Sequence, residues 1–294
     1  MSAPLPLKQM PRFNSDLSAK REGFKLFFVF CALFFVPGFS QTQAAEPKTV
    51  IELKQATDTY FKNKNWTPFA ASIELLFYKE NGAQSRCTGT LLFDPLRKKL
   101  LMDCMGESGL PVFIFKNDDL EFMLYMPGMN RAWFGNMYQL EYSPDFDSHL
   151  KPLDLYRAAS PEPFSEDQAV SANGVGEGME IEIAKPYQTI RYMARRIILN
   201  SHGQVEHETF LTPDGTATTV IVREKFKKMK NKLDRVNTRF YYAPQTIVTH
   251  PETEDRTVMN ISNVTLHAGF PDEAWEMEIP ESVPIDEIAP PPQV

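Results

Sequence analysis

Cys87 and Cys104 are the residues of this chain whose chemistry is easiest to name, because two thiols on neighbouring strands can oxidise to a disulfide. The turn Asp94-Pro95-Leu96-Arg97 lies between them. With Pro95 and Leu96 at the tip of a hairpin, equal counts along the two arms put Cys87 directly opposite Cys104. In an oxidising compartment a bridge closing a loop of this size stabilises by about 2–3 kcal/mol. The alternatives are two buried free thiols, or a bulge that shifts the register.

A second candidate is electrostatic. The run from Arg223 to Arg235 carries seven basic and two acidic residues in an otherwise acidic chain, the cations being Arg223, Lys225, Lys227, Lys228, Lys230, Lys232 and Arg235. It reads either as a solvated loop or protruding hairpin, or as a surface that docks on anionic lipid head groups or an acidic partner, with Phe226 and Met229 as shallow apolar contacts.

The remaining reactive residue types form no pattern. His149, His202, His207, His250 and His267 are scattered, and in Glu206-His207-Glu208 neighbouring side chains of a strand point to opposite faces, which suits a solvated strand better than a metal site. The string Gly174-Val175-Gly176-Glu177-Gly178 precedes a strand instead of following one and opening a helix, so it reads as a flexible connection and not as a phosphate loop. Gly-x-Ser-x-Gly, His-Glu-x-x-His and Ser-x-x-Lys are absent. The residues thus point to a non-catalytic protein without cofactor or metal, the competing reading being a hydrolase with an unrecognised site.

Export sets the context for these candidates. Leu26 to Val36 is an unbroken apolar run behind Lys20, Arg21 and Lys25, followed by Pro37, Gly38 and the small residues Thr42 to Ala45. Such a run is too short for a transmembrane helix and fits a secretory signal over residues 1–44, cleaved near Ala44 or Ala45; the alternative is an uncleaved anchor. Cleavage removes five Lys/Arg and two Asp/Glu and leaves a formal charge of −10. Nucleic acid does not suit so acidic a chain. The oligomeric state is not legible.

The elements that must position the candidates are mostly strands. Six apolar strands follow one another from Phe69 to Phe134, with turn signals at Asn81-Gly82, Asp94 to Arg97, Gly106 to Gly109, Asn117 to Asp119 and Met126 to Met129. Phe69, Ile73, Leu75 and Phe77 alternate with more polar neighbours, and pairing across the turns carries their face through Leu91, Leu100, Met102, Ile114, Phe122, Leu124 and Trp133. One helix is expected over Thr49 to Lys64, with Thr49 and Glu52 as a capping box, and a short one at Pro152 to Ala159. Further strands are expected at Met179–Pro186, Thr189–Leu199, Gln204–Leu211, Ala217–Glu224, Thr238–Tyr242, Gln245–Thr249, Thr257–Ala268 and Ala274–Ile279. About a dozen strands or slightly more, with few helices, make a mainly β domain whose antiparallel sheet must curl. This domain spans residues 45–280, and residues 281–294 form an acidic, Pro-rich, disordered tail.

The order of parts resembles the LolA/LolB-like family of outer-membrane lipoprotein-sorting and lipoprotein carrier proteins. The pieces that carry it are the amphipathic first helix, Ser72-Ile73-Glu74-Leu75-Leu76-Phe77, the hairpin with Gly89, Leu91 and Pro95, Asp119 to Pro127 with Asn130-Arg131, and the stretches Ala243 to Val248 and Gly269 to Trp275. The resemblance implies an incomplete β-barrel, with helices covering its open side and an apolar cavity for the acyl chains of a lipid or lipoprotein. It also implies a periplasmic protein. Where the family tends to place an Arg associated with lid closure and cargo release, this sequence has Asp94 before Pro95, which speaks against a dedicated shuttle but not against the half-barrel. The sheet face named above is then the expected cavity lining. An envelope sensor or scaffold of the same fold, its cavity filled by its own side chains, is the alternative.

Overall fold

Alternation of apolar and polar residues over ten or so positions dictates paired strands, and strands dominate the computed structural model, which describes residues 49–63, 67–82, 84–137, 152–187, 189–233 and 239–288. The proposed signal segment lies outside them. The first meander comprises β2 (Phe69–Tyr78), β3 (Gln84–Asp94), β4 (Lys99–Gly106), β5 (Pro111–Asp118), β6 (Glu121–Met126) and β7 (Arg131–Asn136). The second comprises β8 (Ala169–Val175), β9 (Gly178–Tyr187), β10 (Ile190–Leu199), β11 (Val205–Leu211) and β12 (Ala217–Glu224), continued by β15 (Gln245–Thr249) and β16 (Arg256–Leu266). Antiparallel pairing of β16 with β2 joins the two into one sheet of fifteen strands.

Both edges of that sheet are covered by short strands. Thr49–Val50 (β1) pairs with β8, and Ile285–Glu287 (β17) lies parallel to β7. The two edge strands do not pair with each other, so the sheet is a mainly β, incomplete barrel, blunted at its edges. Helix α1 (Leu53–Asn63) packs through Ala56 and Tyr60 on Ile181, Ile183, Ile197 and Leu199 of the second meander. Helix α2 (Pro152–Ala159) puts Leu155 and Ala158 against the first meander. Among the described residues, the hairpin of β13 (Lys227–Lys230) and β14 (Arg239–Tyr242) pairs with no other strand.

Several expectations from the sequence need correction. Thr49 does not cap a helix; it lies in β1, and α1 begins at Leu53. Ser171 to Gly178 is not a flexible connection but the hairpin of β8 and β9, with Gly176 at positive φ in its turn. Residues 274–279 form no strand: Asp272–Trp275 is a 3-10 turn that buries Trp275 against Phe270. Nor is residue 281 the start of a disordered tail, since β17 pairs with β7 and Val283 and Ile288 are buried.

The registers of two hairpins differ from the expected ones. The hairpin of β3 and β4 pairs Asp94 with Lys99, two positions away from the expected register, so Cys87 faces Gly106 and Cys104 faces Gly89. The disulfide forms all the same, on the diagonal, with Cα atoms 5.6 Å apart. Asp94 sets this turn: its Oδ1 accepts the backbone N–H of Leu96 and of Arg97. In the hairpin of β5 and β6 the slip is odd. Asp118 pairs with Glu121 around Asp119, which holds φ 55°, and the inner positions become Phe113 and Phe115. A one-residue shift flips every side chain to the other face. Ile114, an expected lining residue, therefore packs on the outer side with Tyr125, Ala132 and Val283.

Candidate functional site

The inner face of the first meander is apolar apart from Asn117 near the β5–β6 turn. Phe69, Ile73, Leu75, Phe77, Leu91, Leu100, Met102, Phe122, Leu124 and Trp133 belong to one cluster, which also takes in the disulfide. Most of this face is packed. Leu155 and Ala158 of α2, Phe210, Ile221 and Val248 of the second meander and Phe240 of the hairpin fill the space above it, so Leu75, Leu91, Leu100, Met102 and Leu124 are fully buried. Phe69 alone of the eleven expected lining residues borders the cavity beside this packed face.

That cavity, of about 100 Å³, lies where α2 ends, beside the hairpin and the ends of β2 and β3. Phe69, Phe93, Phe226, Phe240 and Tyr242 supply apolar wall, and Tyr60, Gln204, Thr246 and Arg223 supply polar groups. A second cavity of about 100 Å³ against the same helix touches Tyr156, Arg157 and Glu162. Burial pushes the Tyr60 phenol well above the ordinary tyrosine range, so it stays neutral.

Behind the first cavity stands a group of buried charges. Alternation along the second meander puts Arg195 beside Ile197, Glu208 beside Phe210 and Arg223 beside Ile221 on the inner face, with a register shift between Met193 and Arg195 where β10 meets β9. Glu208 is 0% exposed and lies 2.8 Å from Arg223 Nη1 and 3.3 Å from Arg195 Nη1. Arg223 Nη2 donates to the carbonyl of Arg157 at 2.6 Å, which satisfies a backbone acceptor in the last turn of α2. Arg157 stacks on the Phe210 ring at 3.8 Å and reaches Glu162 at 3.2 Å. Burial alone would raise the Glu162 carboxyl, but the charges of Arg157, Arg195 and Lys185 outweigh it and hold the group at about 2. One turn earlier on the same helix, Asp154 meets His250 at 2.6 Å. Helix α2 is thus tied to the second meander by polar contacts and rests on the first through apolar ones.

Two site assignments change with this geometry. Arg223, expected on a docking surface, is 3% exposed and belongs to the interior. Glu208 is not part of a solvated strand, whereas His207, its neighbour, is on the other face and only partly buried. Lys225, Lys227, Lys228, Lys230 and Lys232 are exposed, and Arg235 is outside the described residues. Phe226 and Met229 face inward, the first onto the cavity and the second onto the core, and so are not contacts of the exposed surface. The signal that could have found Arg195, Glu208 and Arg223 was present: each is two positions from an apolar residue of its strand's inner face.

No protein-family model and no curated protein matches the sequence. Solved structures do. A LolA superfamily protein from Nitrosomonas europaea superposes with a TM-score of 0.54 at 12% identity, covering 77% of this chain and 98% of that one. This chain has the LolA-like fold. A putative outer membrane lipoprotein-sorting protein domain from Vibrio parahaemolyticus gives 0.52 at 13% identity, over 76% of this chain and 95% of its own. A DUF1329 family protein from Desulfovibrio piger gives 0.52 at 11% identity, over 76% and 97%. The LolA-like similarity spans nearly the full length of these structures, so the fold is shared as a whole and not as a fragment.

Proposed function

We propose that this protein is an exported, non-catalytic binder of a lipid or lipid-modified protein, working in the periplasm on a component of the outer envelope. The observation that carries the reading is the aromatic-walled cavity at the end of α2, placed in a LolA-like half-barrel. The lipoprotein-sorting description of one structural neighbour supports the same direction. Each methylene removed from water contributes about 0.8 kcal/mol, so an acyl chain gains affinity without polar contacts.

Size sets a condition. An apolar cavity of about 150 Å³ holds one benzene-sized molecule, so a space of about 100 Å³ admits only a short stretch of chain. Uptake then requires the hairpin of β13 and β14 to move, because Phe226, Phe240 and Tyr242 form its share of the wall. A two-stranded hairpin that pairs with no other strand among the described residues is the element best suited to that motion. Its exposed Lys227, Lys228 and Lys230 would meet an anionic membrane surface while its inner side covers the cavity.

The packing of Leu75, Leu91 and Leu124 favours a second reading, a sensor or scaffold with the same fold and a filled interior. Organic extraction of the purified protein followed by mass spectrometry, with uptake of a fluorescent fatty-acyl probe, separates the two. A binder yields co-purified lipid and saturable uptake. A protein that yields neither is a scaffold.

A further inference from the structure

Four leucines are exposed among the described residues, three of them on turns at the two ends of the first meander and one on the hairpin beside it. Leu96 tips the β3–β4 turn and Leu120 the β5–β6 turn, which Lys98 Nζ and Asp119 join at 2.8 Å. Leu110 lies in the β4–β5 turn at the other end. Leu233 follows β13 and donates its N–H to the Asn231 side chain, whose amide donates in turn to Thr67 Oγ1 at 2.7 Å. Thr67, Pro95 and Phe226 all border the first cavity. A cavity wall and an exposed side chain are therefore adjacent residues at Pro95-Leu96 and again at Lys225-Phe226-Lys227, so the cavity lies just beneath the surface at the Leu96 end of the sheet.

Charge distinguishes the two ends. Residues 225–233 hold five lysines, all exposed, and no acidic residue, in a chain of formal net charge −7. Arg97 is paired with Asp272 and Lys98 with Asp119, so the turns contribute apolar tips and the hairpin contributes the cations. Near Leu110 stands the exposed Glu107 instead. We infer that the protein rests on an anionic bilayer by its cavity end, with Leu96 and Leu233 entering the head-group region and the hairpin lysines meeting the lipid phosphates, so that an acyl chain passes between membrane and cavity along the rim of Pro95 and Phe226 without crossing bulk water. Exposed apolar side chains among cations hold a protein at such an interface, because burial and electrostatic attraction add. The inference rests on the lipid-binding reading above and adds to it the end of the molecule that meets the membrane and the side chains that enter it.

The test compares Leu96→Trp with Leu110→Trp, two exposed positions, on vesicles of phosphatidylglycerol and phosphatidylcholine whose acyl chains are brominated. Bromine in the chains quenches only a tryptophan that enters the bilayer. Once the signal of the native tryptophans is subtracted, Leu96→Trp should lose about half its emission while Leu110→Trp keeps its own. Leu96→Ser together with Leu233→Ser should weaken vesicle binding about tenfold, at high salt as at low, because burial is not screened, whereas Leu110→Ser should stay within about twofold of the wild type. Quenching of Leu110→Trp equal to or greater than that of Leu96→Trp overturns the inference, as does unchanged binding by the double serine variant or a wild-type protein that binds no vesicles. Uptake of a fluorescent fatty-acyl probe in the absence of vesicles reports separately on the carrier reading: uptake without docking leaves that reading standing, and no uptake by the wild type removes it.

Discussion

The two halves of the sheet build their inner faces on the same two-residue period and fill them in opposite ways. In the first meander every inner position from Phe69 to Trp133 that packs on α2 or its neighbours is apolar, apart from Asn117 near the β5–β6 turn, whose amide is held by the carbonyls of Asp119 and Glu121. In the second, Arg195, Glu208 and Arg223 interrupt Ile197, Phe210 and Ile221. An apolar face stabilises by burial alone and asks for nothing more. A charged interior is weak evidence for stability, because desolvation offsets attraction, so its presence in one half only marks that half as the one with a task beyond folding.

The largest expected effect comes from breaking the charged half. Glu208→Gln leaves Arg195 and Arg223 without their shared carboxylate and should lower the unfolding free energy by about 3–5 kcal/mol in a denaturant titration. Replacing all three residues at once, Arg195→Met, Glu208→Leu and Arg223→Met, should be neutral or stabilising by about 1–4 kcal/mol. Strong destabilisation by the triple replacement would show that the charges are structural and dissolve the contrast.

In the apolar half, Leu124→Ala should cost about 2–5 kcal/mol by leaving a hole beside Phe115 and Trp133 in the core. Acyl uptake should be unaffected at temperatures where the variant is folded. Uptake lost in step with no loss of stability would move the binding site to the first meander.

Acid sharpens the comparison further. Glu162 is held at about 2 against an ordinary 4.5, so the stability it contributes is complete above about pH 4.5 and drains away as pH falls towards 2. Glu162→Gln should flatten that part of the stability profile, measured by denaturation from pH 5 to 2. The smallest effect on folding belongs to the hairpin surface. Lys227→Ser, Lys228→Ser and Lys230→Ser together should change stability by no more than about 0.5 kcal/mol, yet weaken binding to anionic liposomes at low salt and matter little at high salt. Equal liposome binding by the triple variant at low salt removes the docking surface.

How much of this was legible depended on which property of a residue mattered. The strands of the first meander were readable because alternation and turn residues are local, whereas the half-barrel came from the family resemblance. Faces survived the even register slip at Cys87, but one odd slip at Asp118-Asp119 put Ile114 on the wrong side. β8 was hidden because Ser171-Ala172-Asn173-Gly174 has neither bulk nor strong alternation, and only pairing with β9 makes it a strand. Arg223 was lost to its neighbours: it opens a basic run in the sequence, but its strand ends at Glu224 and carries it inside. The run is thus divided at Lys225, whose φ of 58° turns the chain out of β12 and into the hairpin.

The measurement that bears most directly on the central claim is where a bound chain sits. A fatty acid bearing a photoreactive diazirine along its chain, irradiated in complex with the full protein and mapped by peptide mass spectrometry, should label the segments holding Phe69, Phe93, Phe226 and Phe240. Labels concentrated instead on the face of Leu100, Phe113, Phe115 and Leu124 would contradict the account, and would place the ligand against the half that is described here as filled core.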